Sequence, residues 1–268
     1  MTEMAINEPA ALALENVGKR FGSVIALSDV SMRVPKNQVT CVLGDNGAGK
    51  STLIKILSGV HTPSEGELFV NGQATTFHSP REALDMGIAT VFQDLATVPL
   101  MAVWRNFYLG NEPTRGVWPF KGLRTKYAKE SCKAELAEMG IDIRDTEQPV
   151  GTLSGGERQA VSIARAVHFG ANVLILDEPT SALGVRQSGI VLKYVLAAKE
   201  RGVSVVFITH NPHHAYLVGD YFYLLNRGQL ANEFERDKVE LDELTKAMAG
   251  GAELDALTKE IQQVRADA

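Results

Sequence analysis

A chain of 268 residues that is 45% hydrophobic and 22% charged, with no low-complexity tract, has the material for a sizeable core in a large α/β domain. A formal net charge of −5 implies no basic surface, so bulk nucleic-acid binding starts at a disadvantage. The two cysteines, Cys41 and Cys132, make no disulfide framework and fit a reducing compartment, and no apolar run approaches the ~18 residues of a spanning helix.

Residues 1–11 read as a tail, and the first 15 residues lack the basic segment of a secretory signal. Residues 12–17, the Phe21-Gly22 turn and residues 30–34 predict short antiparallel strands, followed by a buried strand at 39–43. A helix is expected over 50–58, a strand and turn over 65–72, a short helix over 80–86 and a strand over 88–92. Residues 94–170 are mostly helical in pattern, apart from a loop at 113–122, and read as an inserted lobe. Strands at 173–176 and 203–208 flank a helix at 185–199; a helical turn at 215–218 and a hairpin around Arg227-Gly228 complete the pattern. Strands alternating with helices imply a mainly parallel sheet.

The densest chemistry lies at Gly44-Asp45-Asn46-Gly47-Ala48-Gly49-Lys50-Ser51, which fits G-x-x-x-x-G-K-[ST] between a buried strand and a helix. Glycines let the backbone curl so that successive N–H groups face phosphate oxygens, and the helix N-terminus adds partial positive charge. Lys50 is expected to reach the β- and γ-phosphates, Ser51 to ligate Mg²⁺, and Thr52 to assist. The apolar strand ending in Asp177-Glu178 supplies the partner carboxylates: Asp177 for Mg²⁺, Glu178 to polarise the attacking water. These elements alone specify a P-loop NTPase, a class that includes GTPases, kinases and helicases.

Leu153-Ser154-Gly155-Gly156-Glu157-Arg158-Gln159 narrows the class. Ser154 and Glu157 have capping-box spacing, so a helix begins there, and its glycine-rich N-terminus is a second anion-binding surface. One chain already has its own phosphate loop. A second anion site therefore points to another molecule's ATP, in a head-to-tail dimer with two nucleotides at the interface.

With these motifs in this order, residues 12–249 resemble the ABC ATPase family. The resemblance implies an α/β fold with a mainly parallel RecA-like core, an N-terminal antiparallel β subdomain and an inserted helical subdomain over about 94–170. It leaves residues 250–268 as a helical tail. It also implies ATP and Mg²⁺ as ligands, with Ser154, Gly155 and Gly156 serving the ATP of the opposite subunit. Gln93 is similar to the family's Q-loop glutamine, near Mg²⁺ and the membrane subunit; His210 to its switch histidine at the γ-phosphate; Phe21 to the aromatic that stacks on adenine. Catalysis then rests on Glu178, His210, Gln93 and Lys50, and the metal on Ser51, Gln93 and Asp177. Gly184 stands where the family usually has an aspartate that helps organise the dimer.

Residues 93–95, 103–110, 181–185 and 210–211 resemble the carbohydrate-importer branch of ribose, xylose or fructose type. Many members of that branch fuse two cassettes; this chain has one, which implies pairing as a homodimer. Implied partners are transmembrane permease subunits and, indirectly, a periplasmic sugar-binding protein. The implied place is the cytoplasmic face of the bacterial inner membrane. Competing readings are an importer of another small solute, a soluble ABC-type ATPase acting on ribosomes or DNA, and a non-catalytic cassette. The absence of a coiled-coil insertion or basic extension argues against the second of these, and intact Lys50, Asp177, Glu178 and His210 against the third. His213-His214 reads as a helix-start pair, and Trp104 and Trp118 as core residues. The stripe Leu254, Leu257, Ile261 and Val264 reads as a helical face that packs on its own domain or, alternatively, contacts a dimer mate or partner.

Overall fold

The computed structural model describes residues 10–116 and 121–248. Trp118, the C-terminal stripe at 254–264 and residues 1–9 of the expected tail lie outside the described residues. The chain opens with β1 (Ala10–Phe21) and β2 (Val24–Pro35), then runs through β3 (Val39–Leu43), α1 (Lys50–Leu57), β4 (Glu65–Val70) and β5 (Gln73–Thr75). Next come α2 (Pro80–Asp85), β6 (Ile88–Val91), α3 (Val103–Tyr108), β7 (Thr114–Arg115), β8 (Gly122–Leu123), α4 (Thr125–Glu138) and α5 (Gly155–His168). The remainder is β9 (Val173–Asp177), α6 (Val185–Glu200), β10 (Ser204–Thr209), α7 (Pro212–Val218), β11 (Tyr221–Asn226), β12 (Gln229–Glu235) and α8 (Leu241–Met248).

Three expectations change. The first strands are not short: β1 and β2 form one 12-residue antiparallel pair, and Ala10 and Ala11 open β1 rather than belonging to a tail. Register shifts interrupt that pair near Asn16 and Asp29. Both residues adopt positive φ (50° and 53°), and the Asn16 side-chain amide donates to Asp29 Oδ1 at 2.7 Å. Second, the block from 94 to 170 holds three separated helices, α3, α4 and α5, with long irregular connections between them. Third, the stretch expected as a loop at 113–122 carries the small antiparallel ladder of β7 and β8.

Two main sheets carry the fold. One has the strand order β12-β11-β3-β10-β9-β6, parallel throughout except for β12 at its edge. The other is antiparallel, in the order β2-β1-β4-β5. All five residues of β3 and all six of β10 are buried, as continuous apolar strands covered on both faces should be. One face of the parallel sheet packs Val42, Ile175 and Val206 with Leu53 and Ile54 of α1 and with Val17, Leu27 and Val30 of the antiparallel sheet. The other face packs Leu174, Leu176 and Phe207 against Val161, Val191 and Val195 of α5 and α6, continuous with Trp104, Phe107, Cys132 and Leu136. Tyr223 joins the sheets: its Oη accepts the Arg33 N–H at 3.1 Å, and burial pushes the phenol pKa up. Cys41 and Cys132 are free and buried, with burial raising both thiols, Cys132 to about 12.

Register sets the working edge. Leu43 pairs with Thr209, Asp177 with Ile208, and Val91 with Leu176, so β3, β10, β9 and β6 end side by side. Ligands of open α/β sheets bind at such carboxyl ends.

The helical lobe has its own anchor. Trp104 is 1% exposed and its indole N–H donates to Glu147 at 3.0 Å. Trp104→Ala should lower stability by roughly 3–5 kcal/mol, the usual cost of emptying an aromatic core site, read as a fall in the urea midpoint.

Candidate functional site

The loop after β3 turns through Gly47 (φ 83°) and Gly49 (φ 108°), backbone conformations that only glycine adopts without strain. At Gly49 a Cβ would also lie 2.9 Å from Leu27 Cδ2 and 3.0 Å from the Ala26 carbonyl. Ala48 N–H donates to Asp45 O at 3.1 Å. The N–H groups of Gly47, Gly49, Lys50 and Ser51 have no protein acceptor among the described residues. They form a ring of donors at the start of α1, suited to phosphate oxygens.

Lys50 is 8% exposed, and its Nζ donates to Gly44 O at 2.5 Å and Asp45 O at 3.1 Å. The same Nζ lies 3.6 Å from Glu178 Oε1. Glu178 is itself held tightly. Its N–H donates to Ile208 O at 2.9 Å, its φ is 47°, and its Oε2 lies 2.8 Å from His210 Nδ1. Its side chain is only 10% exposed. Asp177, half-buried beside it, has a pKa raised first by burial and then by the Glu178 charge; Lys50 and the Gln93 backbone N–H pull the other way.

These groups face one cleft of about 540 Å³, within the range of nucleotide pockets. Asp45, Asn46, Gly47, Gly49, Lys50, Ser51, Thr52, Gln93, Asp177 and Glu178 line it, and His210 stands behind Glu178. Gly44 and Ala48 form the buried back of the loop. The Ser51 hydroxyl, the Gln93 amide and the Asp177 carboxylate give the hard oxygen donors that Mg²⁺ takes, so this donor set fits that ion.

One placement differs from expectation. Phe21 is not among the lining residues: it sits at the tip of β1, 44% exposed, edge-on to His61 at 5.3 Å with Lys19 over the ring. Val24, Ile25 and Ala26 of β2 and Arg227-Gly228 of the β11–β12 turn wall the cleft instead. Sequence reading missed them. The one available signal was the turn glycine Gly228, whose N–H donates to Ala48 O at 2.8 Å.

Ser154, Gly155 and Gly156 lie outside this cleft. Ser154 Oγ accepts the Glu157 N–H at 3.3 Å and Glu157 Oε2 accepts the Ser154 N–H at 2.7 Å, the reciprocal cap expected for α5. Gly155, Arg158 and Gln159 instead border a second cavity of about 260 Å³, closed on its far side by Glu178, Pro179, Ser181 and Leu183. A third groove, of about 490 Å³, runs between β6 and α5 past Leu84, Phe92, Asn106, Asn111, Arg165 and Phe169. His214 caps into α7: Asn211 Oδ1 accepts its N–H at 3.2 Å, and its Nδ1 lies 2.9 Å from Thr180 Oγ1. Burial, then the charges of His213 and His210, lower its pKa.

Among the described residues no helix is long and apolar enough to cross a membrane. The sequence profile of the ABC transporter family matches residues 27–181. The xylose/arabinose import ATP-binding protein of Sulfolobus acidocaldarius is 42% identical over 241 residues, covering 90% of this chain and 94% of its own. The fructose import ATP-binding protein of Rhizobium meliloti is 41% identical over 81% of this chain and 85% of its own. The ribose import ATP-binding protein of Corynebacterium glutamicum is 41% identical over 91% of this chain, but that match spans 46% of the relative. Among solved structures, a nucleotide-free ATP-binding cassette from an ABC transporter superposes with a TM-score of 0.76 at 27% identity, over 90% of this chain and 95% of its own. A dimeric cassette bound to ADP and Pi superposes with a TM-score of 0.68 at 25% identity, over 84% and 98%. Fold, cleft and relatives agree: the chain belongs to the ABC transporter family, as one of its ATP-binding cassettes.

Proposed function

We propose that this cassette hydrolyses ATP, as a head-to-tail dimer with a second copy of itself, to drive import of a monosaccharide through a membrane permease. It works at the cytoplasmic face of the inner membrane. The observation that carries the dimer reading is the division of the phosphate-binding elements. The start of α1 opens on the cleft with Lys50 and Glu178, whereas the start of α5 opens outside it. The sugar reading is supported by relatives named for xylose/arabinose, fructose and ribose import.

In this reading residues 12–249 form the ATP-binding domain, with the helical lobe inserted over about 94–170. The loop N–H groups bind phosphate, and Lys50 leaves the Gly44 and Asp45 carbonyls for phosphate oxygens. Mg²⁺, held by Ser51, Asp177 and Gln93, supplies charge neutralisation on the phosphates when bound. Glu178 takes the proton of the attacking water, and the His210 ring holds the Glu178 carboxylate in place. Phe21 closes over the adenine from the β1 tip. Permease loops dock in the groove beside Phe92 and Asn111.

Glu178→Gln should bind ATP normally but lose roughly 10²–10⁴-fold in turnover, since only the base is removed. The variant should accumulate as an ATP-loaded dimer in size-exclusion chromatography; near-normal hydrolysis rejects the assignment.

Lys50→Ala should abolish ATP binding by the isolated subunit. Ser154→Arg should leave that binding intact while stopping hydrolysis. Equal losses of nucleotide affinity, measured by fluorescent-nucleotide titration, contradict the head-to-tail arrangement.

Val98 and Leu100 are 41% and 91% exposed beside the groove. Charged substitutions there should abolish sugar uptake in complemented cells and spare the purified subunit's basal ATPase, because interface energy concentrates in a few residues, each worth ~2 kcal/mol or more. A deletion strain that loses uptake of an amino acid or metal instead of a sugar overturns the cargo and keeps the importer. One that loses no transport, with the protein sedimenting with ribosomes, overturns both.

A further inference from the structure

We propose that the β7–β8 hairpin and the start of α4 form a basic surface that rests on anionic phospholipid headgroups. Four exposed cations make the contact: Arg115, Lys121, Arg124 and Lys126. The direction in which this surface faces rests on the permease-docking reading above; its charge does not.

The whole chain has a net charge of −5, yet residues 111–130 hold five cations and two carboxylates. Neither carboxylate neutralises the hairpin. Glu112 Oε1 accepts the Gly110 N–H at 3.1 Å, a bond that lowers its pKa, and Glu130 lies 3.9 Å from Lys126. Lys129, the fifth cation, is paired with Glu147. Across the β7–β8 ladder Arg115 faces Gly122 and Thr114 faces Leu123, so no acid stands opposite a cation. Among the described residues Arg115, Lys121 and Arg124 have no carboxylate within ion-pair distance. Like charges gathered in this way repel one another, a cost that an anionic surface removes.

The shape suits a surface rather than one small anion. Arg115, Arg124 and Lys126 line an open concavity of about 890 Å³ together with Leu123 and Tyr127, which are 41% and 45% exposed. The Arg124 guanidinium lies over the Tyr127 ring at 4.4 Å. Tyrosine beside cations and an exposed leucine suits a membrane interface, where the ring sits at headgroup level and long cationic side chains reach the phosphates. Clusters of Lys and Arg are drawn to the negative cytoplasmic leaflet. The hairpin also starts where the outer groove ends: Asn111 lines that groove, and Pro113 O accepts the Arg124 N–H at 2.8 Å. A permease loop in the groove therefore sets the hairpin beside the bilayer.

The test floats the purified full chain with vesicles of phosphatidylcholine, alone or mixed with phosphatidylglycerol, at low and high salt. The chain should bind only the mixed vesicles, and less so at high salt. Each Lys or Arg near an anionic membrane changes affinity about fivefold, so Arg115→Gln/Lys121→Gln/Arg124→Gln/Lys126→Gln should weaken binding by roughly 10²-fold or more. Its basal ATPase and thermal midpoint should not change. Lys36→Gln/Lys193→Gln/Lys238→Gln/Lys246→Gln removes as much charge from exposed positions elsewhere and should bind as wild type does. Arg115→Lys/Arg124→Lys keeps the charge and should keep the binding. Equal binding to both kinds of vesicle, or an equal loss in the control variant, overturns the proposal. So does a hairpin variant that still binds the mixed vesicles but no longer binds polyuridine, which marks a nucleic-acid surface instead. Each of these outcomes leaves permease docking standing, because sugar uptake by the Val98 and Leu100 variants reads it separately. Normal uptake by those variants, with hairpin-dependent vesicle binding intact, sinks the docking reading and keeps the lipid contact.

Discussion

The site depends on keeping one carboxylate, Glu178, almost out of water between Lys50 and His210. A buried carboxylate is costly unless paired and hydrogen-bonded. Lys50 lies 3.6 Å from one of its oxygens and His210 2.8 Å from the other. The two partners follow different strands: Lys50 starts α1 after β3, and His210 follows β10. Glu178 follows β9, with β10 hydrogen-bonded between β3 and β9. A slip of one residue in either parallel pairing would turn the strand-end side chains to the other face and leave the acid alone. The left-handed φ of Glu178 is a further cost, held by its N–H bond to Ile208 and by Ser181 on its carbonyl. Strain of this kind persists where surrounding structure over-determines it, and three buried strand ends do so here.

This dependence explains what sequence reading found. The phosphate loop, the Asp177-Glu178 strand and the α5 cap are local patterns, so spacing alone located them. The structure places them at one sheet edge or, for α5, beside it. What was missed is non-local. Val24, Ile25 and Arg227 reach the cleft because two separate hairpin turns fold over the loop, and no spacing along the chain records that. The length of β1 and β2 was hidden because residues 18–29 carry no clean alternation: the pair runs through register shifts near Asn16 and Asp29, both at positive φ. The helical block was overestimated because the buried Ile141, Ile143 and Leu153 pack the lobe from non-helical backbone, with only a single 3-10 turn at 150–152 between them. Phe21 was assigned by resemblance; its ring stands at the β1 tip beside His61 and is not part of the cleft lining.

Residues 93–102 connect the chemistry to the rest of the molecule. Gln93 borders both the cleft and the second cavity, and Asp94, Leu95 and Thr97 border the second cavity and the outer groove. The segment has no regular secondary structure, yet it reaches from the cleft to α3. At one end Gln93 lines the cleft with Asp177. At the other, Asn106, 4% exposed, accepts the Val98 N–H at 2.8 Å and donates to the carbonyls of Val98, Met101 and Ala102. A buried amide satisfied four times over is expensive to disturb. The Asn106 side chain, carried by α3, therefore ties residues 98–102 to that helix. Gln93 at the cleft and residues 94–97 at the outer groove thus belong to one short segment held to α3.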